Sequence, residues 1–186
     1  MDSAKPKLIQ LHQLRFHSYI SPKEIATRIA EIGQDLARQL AGSRPVYLVM
    51  LKGAFIFAAD LIRATGLSGE VDFVRTQSYH GTHSSGKVDI LLAPDADLVA
   101  GSDIVLIEDI IDSGLTMQAF LPRLEALNPK SITLVSLLHK PEALQTDISI
   151  DYIGFSIPDK FVVGYGLDYD GLGRELPGIY QVLDQI

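Results

Sequence analysis

The sequence predicts an α/β protein built on a central, mainly parallel sheet flanked by helices. Three observations point there. Apolar runs with no polar alternation, such as "VYLVML", "DIVLI" and "ITLVSLL", have the pattern of strands buried on both faces. Segments with helical periodicity separate these runs, which is the order expected of strand-helix-strand units. The 186 residues contain no internal repeat, low-complexity tract or long Gly/Pro/Ser linker, so a single domain of ordinary size is expected.

The elements follow in order. The stretch up to about Ser18 is polar and ambiguous. From Ser21 the chain reads as a helix: Ser21 and Glu24 have capping-box spacing, Pro22 suits the first turn, and Ile25, Ile29, Ile32, Leu36 and Leu40 recur on one stripe before Gly42. "PVYLVMLKG" is a buried strand, and "AFIFAADLIRATG" a helix ending at Gly66. "EVDFVRTQSY" is a strand, "HGTHSSG" a loop, and "KVDILLA" a strand returning from it. "SDIVLIE" is a strand, "LTMQAFLPRLEALN" a helix, "SITLVSLLHK" a strand, and "IDYIGF" and "KFVVGY" are short strands.

Composition narrows the function classes. Lys and Arg number 16 against 23 Asp and Glu, a formal net charge of −7. A general nucleic-acid binder carries a basic excess, so none is expected. The absence of cysteine excludes disulfides and thiolate chemistry and fits a reducing compartment. The start "MDSAKPKL" has no apolar core of a signal peptide, and the apolar runs are far shorter than the roughly 20 residues of a membrane span. The expectation is a cytoplasmic protein with no membrane partner.

The chemistry concentrates in "VLIEDIIDSGLT", residues 105 to 116. A buried parallel strand ends in Glu108, Asp109 and Asp112, and Ser113, Gly114 and Thr116 follow at once to open a helix. Parallel sheets bind ligands beyond the carboxyl ends of their strands. Carboxylates there suit hydroxyl groups and Mg²⁺, whereas the amides of a helix N-terminus, approached closely through Gly114, suit a phosphate. Asp112 and Ser113 alone would be explained by an ordinary helix cap. A cap does not require the whole run of strand, Glu-Asp, Asp, Gly and Thr. The stretch therefore reads as a sugar-phosphate site, with Glu108 and Asp109 toward ribose hydroxyls, residues 113 to 116 toward the phosphate, and Asp112 between. His80 and His83 lack a third ligand at metal-site spacing and read as solvated loop histidines.

"VLIEDIIDSGLT" resembles the phosphoribosyl-diphosphate motif of type I phosphoribosyltransferases. "LKGAFIFAADL" at 51 to 61, "SYHGTHSSG" at 78 to 86 and "GFSIPDKFVVGYGLDYDGLGRELPGIY" at 154 to 180 narrow the resemblance to the hypoxanthine-guanine phosphoribosyltransferase family. It runs in order from about Leu8 to Val182. It implies a type I phosphoribosyltransferase fold with a core of about residues 20–140 and a small hood formed by 1–19 and 141–186. It also implies transfer of phosphoribosyl from 5-phospho-α-D-ribose 1-diphosphate to hypoxanthine and guanine, with Mg²⁺ as cofactor, in a homodimer or homotetramer. A transferase favouring xanthine, and a regulator that keeps the fold without catalysis, are the alternatives.

By the same resemblance, Lys52 and Gly53 bind pyrophosphate through a cis bond between them. Ser78 and Tyr79 open a mobile loop that closes over the diphosphate, and Arg174 binds its oxygens. Ser113, Gly114, Leu115 and Thr116 hold the 5-phosphate, Leu115 standing where some members carry lysine. Lys140 donates to the six-oxo group of the base, Phe161 stacks on its ring, Val162 reads its edge through the backbone and Ile110 covers the other face. Asp168 holds Mg²⁺ through water, alongside Glu108 and Asp109, and lies at the two-position of the base. Asp112 is the catalytic residue, near purine N7. After Lys140 and Pro141 the chain reads "EALQ", where many relatives place arginine.

Overall fold

The computed structural model describes residues 7–78 and 88–183. The polar N-terminal stretch is a hairpin, β1 (Leu8–Leu11) antiparallel to β2 (Leu14–Ile20). Only Phe16 and Ile20 of β2 are buried, so its alternation is too weak to announce a strand. Helix α1 (Pro22–Gln39) begins where its capping box predicts. The Ser21 hydroxyl accepts from the Glu24 amide, and the Ser21 amide donates to the Glu24 carboxylate at 2.8 Å. Ile25, Ile29, Ile32 and Leu36 bury the predicted stripe. Burying each such side chain contributes about 1.5–3 kcal/mol.

Strand β3 (Val46–Leu51) is buried through Met50 on both faces, as its unbroken apolar run requires. Helix α2 (Phe55–Thr65) stops at Gly66, whose φ of 63° supplies the left-handed cap. Where α1 crosses α2, a Cβ on Gly33 would lie 2.7 Å from that of Ala64, so glycine sets how closely the two helices approach. Strands β4 (Glu70–Ser78) and β5 (Val88–Leu92) pair antiparallel, and a short helix α3 (Ala96–Val99), capped by the Asp95 side chain, follows. Strand β6 (Asp103–Ile111) is longer than its apolar run and carries Glu108 and Asp109 inside the ladder. Helix α4 (Leu115–Glu125) leads to β7 (Ser131–His139), and β8 (Tyr152–Ser156), β9 (Val162–Val163) and β10 (Ile179–Val182) complete the chain.

Six strands form the larger sheet in the order β5-β4-β3-β6-β7-β8. All neighbours are parallel except β4 and β5. Helices α1 and α2 pack on each other and against this sheet. The second sheet has four antiparallel strands in the order β1-β2-β10-β9, around its own small core of Phe16, Val163 and Tyr180. This is the expected architecture of a mainly parallel sheet with a hood built from both ends of the chain.

One boundary differs. Strand β8 lies within the stretch expected in the hood, yet it pairs with β7 from Val135↔Tyr152 to His139↔Ser156 and closes the larger sheet. Its residues are only partly buried, as suits an edge strand. The hood therefore takes its C-terminal strands only from β9 onward. Among the described residues, no helix is long and apolar enough to cross a membrane.

Candidate active site

Because β3, β6 and β7 are parallel neighbours, their carboxyl ends share one edge of the sheet. That edge brings together Lys52 and Gly53 after β3, the acidic run and turn at the end of β6, and Lys140 after β7. The Lys140 amide donates to the Ile111 carbonyl at 3.0 Å and ties two of these ends.

Asp112, Ser113 and Gly114 turn the chain from β6 into α4, and Gly114 caps the helix with φ 78°, a conformation glycine adopts without penalty. The turn is braced from behind. The Gln145 amide donates to the Ser113 carbonyl at 3.0 Å. A Cβ on Gly114 would overlap the Thr146 hydroxyl and meet Leu144 at 2.9 Å. The "EALQ" departure thus belongs to a segment that supports the turn through backbone and apolar contact. In front lies a cavity of about 210 Å³ lined by Glu108, Asp112, Ser113, Gly114 and Thr116, with Met50 and Thr76 beside them. Leu115 is exposed at the mouth of the helix. The first amides of a helix have no carbonyl partner within it and carry the positive end of its dipole, so this cavity is built to accept an anion.

Glu108 is pushed well above its ordinary pKa, first by burial, then by the charge of Asp109 and hydrogen bonding to it; the Asp109 amide, donating at 3.1 Å, pulls the other way. A cation or hydroxyl donors arriving beside Glu108 would favour its charged form. Asp109 faces the next cavity and lies against Gly53.

The second cavity, about 160 Å³, lies between the sheet edge and the hood. Asp109, Ile110, Asp112 and Lys140 line it from one side, and Phe161, Val162, Leu167 and Asp168 from the other. All five residues expected to hold the base meet here. Lys140 is only 6% exposed. Its Nζ donates to Oδ2 of Asp112 at 2.8 Å and to Oδ1 of Asp159 at 3.1 Å. Burial alone would lower its pKa, but the two carboxylates outweigh burial and the net shift is upward, which keeps an ammonium at the cavity. Phe161 is 42% exposed although it belongs to the hood. Its ring meets that of Tyr169 edge-on at 5.6 Å and is tilted against Phe16 at 6.1 Å. The ring is thus held in place with much of its surface open.

Arg174 and Asp168 form a pair at 2.5 Å, with Arg174 also donating to the Gly166 carbonyl and Asp168 accepting from the Gly171 amide at 2.7 Å. A Cβ on Gly166 would overlap the Gly53 carbonyl oxygen, so this loop rests directly on the turn after β3.

One expectation needs correction. The non-proline cis peptide is Leu51–Lys52, not Lys52–Gly53. Pairing of β3 with β4 ends at Leu51↔Arg75, and the chain leaves the ladder at the very next bond. Among the described residues no group of three acidic or histidine side chains could by itself hold a metal, while Asp109 and Asp168 line one cavity and Glu108 the neighbouring one. The Asp168 carboxylate is engaged by Arg174 and the Gly171 amide. Ser78 ends β4, while Tyr79, His80, His83 and the rest of "HGTHSSG" up to residue 87 lie outside the described residues.

Sequence reasoning missed Asp159 and the brace at 144–146. Asp159 follows a proline in a loop, and no periodicity or spacing links it to Lys140. Thr146 and Gln145 act on the turn only through the path of the chain after β7.

Residues 19–170 match the family model of the phosphoribosyl transferase domain. The chain is 41% identical over 167 residues to the hypoxanthine phosphoribosyltransferase of Buchnera aphidicola, covering 88% of this chain and 94% of that one. It is 44% identical over 161 residues to the hypoxanthine-guanine phosphoribosyltransferase of Bacillus subtilis, covering 86% and 89%. The crystal structure of a hypoxanthine phosphoribosyltransferase from Staphylococcus aureus superposes with a TM-score of 0.84 at 35% identity, covering 89% of this chain and 90% of that one. With this match over most of its length, the chain belongs to the phosphoribosyltransferase family, in its hypoxanthine and hypoxanthine-guanine branch.

Proposed function

We propose that this enzyme salvages purines by transferring the 5-phosphoribosyl group of 5-phospho-α-D-ribose 1-diphosphate to hypoxanthine and guanine, forming the nucleoside monophosphates and diphosphate. The observation that carries the reading is the adjacency of two cavities: one ends at the phosphate turn, the other holds a buried ammonium and an open aromatic ring, and Asp112 and Ile110 line both.

In this reading the 5-phosphate sits on the amides of residues 113 to 116, and Glu108 and Asp109 accept from the ribose hydroxyls. The purine enters the second cavity with its six-oxo oxygen at Lys140, its ring between Phe161 and Ile110, and its two-position toward the Val162 backbone and Asp168. The bond from the ribose anomeric carbon to diphosphate breaks with oxocarbenium character at that carbon, as in glycoside cleavage, and a bond to the purine nitrogen forms. Asp112 accepts a proton at N7 or balances positive charge there. The Lys52–Gly53 amides and Arg174 offset the charge of the departing diphosphate. To reach it, Arg174 exchanges part of its contact with Asp168.

The donor set fits Mg²⁺ that enters with the diphosphate. This ion uses one or two carboxylates together with substrate oxygens and water, and does not need a protein-only cage. Glu108, Asp109 and Asp168 would hold it, and when bound it supplies charge neutralisation for the diphosphate. The raised pKa of Glu108 agrees with this, since a cation placed beside it would favour its charged form.

We place the enzyme in the cytoplasm, in keeping with a chain that has no cysteine. We further read it as one domain that forms a homodimer or homotetramer, in keeping with the exposed apolar side chains Val71 and Phe73 on β4 and Leu91 and Leu92 on β5. The test is incubation with Mg²⁺ and the sugar diphosphate plus hypoxanthine, guanine or xanthine in turn, with products read by chromatography. Nucleoside monophosphate and diphosphate in equal amounts are expected with the first two. No transfer to any base would overturn the proposal.

A further inference from the structure

Asp159 lies in the connection between β8 and β9 and reaches the same nitrogen as Asp112. The two carboxylates meet Lys140 Nζ at 3.1 and 2.8 Å, and both are half exposed while the lysine is buried. An ammonium has three donors and no acceptor. With Asp112 as its only carboxylate partner, the ammonium would follow that side chain wherever it turned toward the base. A second carboxylate outside the reacting set holds the ammonium in place whichever way the other donors turn.

We infer that Asp159 is a positioning residue that anchors the Lys140 ammonium, so that the base oxygen and Asp112 share its remaining donors. The upward shift of the Lys140 pKa, in which Asp159 takes part, agrees with this arrangement. So does the chain path. Asp159 is two residues before Phe161, so one short loop carries both the anchor of the base reader and the ring that stacks on the base. The inference rests on the reading of Lys140 as the group that meets the six-oxo oxygen.

Asp159→Asn keeps the shape and removes the charge. Because the side chain is partly solvated, the expected effect is a rise of about 5- to 10-fold in KM for hypoxanthine, somewhat below the scale of a buried charged hydrogen bond. KM for the sugar diphosphate should stay within about twofold, and Asp159→Glu should recover most of the loss. In a Lys140→Ala background, Asp159→Asn should add nothing, because its effect passes through the lysine. Asp159→Ser serves if the Asn variant folds poorly. An unchanged KM for hypoxanthine in Asp159→Asn, equal increases for both substrates, or an undiminished effect in the Lys140→Ala background would each overturn the inference. Lys140→Ala alone separates the two claims. If it leaves KM for hypoxanthine untouched, the base-reader assignment fails; if it raises KM while Asp159→Asn does not, only the anchor fails.

Discussion

The carboxylate of Asp109 fills the space that a side chain on Gly53 would need, and the Gly53 carbonyl is in turn covered by the backbone of Gly166. The turn after β3 is therefore held between the acidic end of β6 and the loop that carries Asp168 and Arg174. A Cβ on Gly53 would meet the Asp109 carboxylate, so that side chain would have to turn away from its place at the cavity. Gly53→Ala should lower kcat/KM by about 10²-fold or more, since small displacements of positioning groups are costly in transfer reactions. Steady-state kinetics beside a thermal melt check this. Near-normal turnover would mean that Asp109 has room to move.

Glu108 makes a prediction about pH. Its pKa in the folded protein is raised, so the folded state retains a proton that the unfolded chain releases. Stability then falls as pH rises from the ordinary carboxylate range toward the raised value. Gln at this position keeps the oxygen that accepts from the Asp109 amide and removes the ionisation. Without divalent cation, Glu108→Gln should match the parent in Tm near about pH 4 and exceed it near about pH 8. Parallel Tm curves for the two proteins across that range would contradict the assignment.

Asp112→Asn should reduce kcat by roughly 10²-fold or more, the usual scale of acid-base assistance, while KM for the sugar diphosphate changes little. The phosphate turn depends on backbone around Gly114, which this substitution leaves alone. Full turnover in the variant would remove Asp112 from the chemistry.

What the sequence revealed, and what it hid, follows from the range of each signal. Helix α1 was legible because the Ser21–Glu24 cap and the apolar stripe are local. Strands β3, β6 and β7 were legible because burial on both faces leaves unbroken apolar runs. The β1–β2 hairpin was not, since only Phe16 and Ile20 of its strands are buried, and β10 was not, since its four residues are too few to imprint a period although three of them are buried. At the site, the run from Glu108 to Thr116 announced a sugar-phosphate pocket through residue types alone, and the base-binding set came from resemblance and converges in one cavity. The Lys140–Asp112 contact spans 28 residues and its partner Asp159 another 19, distances at which no spacing rule applies. The cis bond was expected one peptide too late because "LKG" does not say where the strand pairing stops.

Recognition of the base by Lys140 is the claim on which the rest depends, and the most direct measurement is kcat/KM for hypoxanthine against adenine. Lys140 is an ammonium that can only donate; it matches the six-oxo acceptor of hypoxanthine and opposes the amino donor of adenine. A site built around such a partner rejects the analogue lacking it by about 10⁴-fold. The account predicts a ratio of that order for the parent protein, shrinking sharply in Lys140→Ala. Adenine turnover comparable to that of hypoxanthine, or an unchanged ratio in the Lys140 variant, would contradict it.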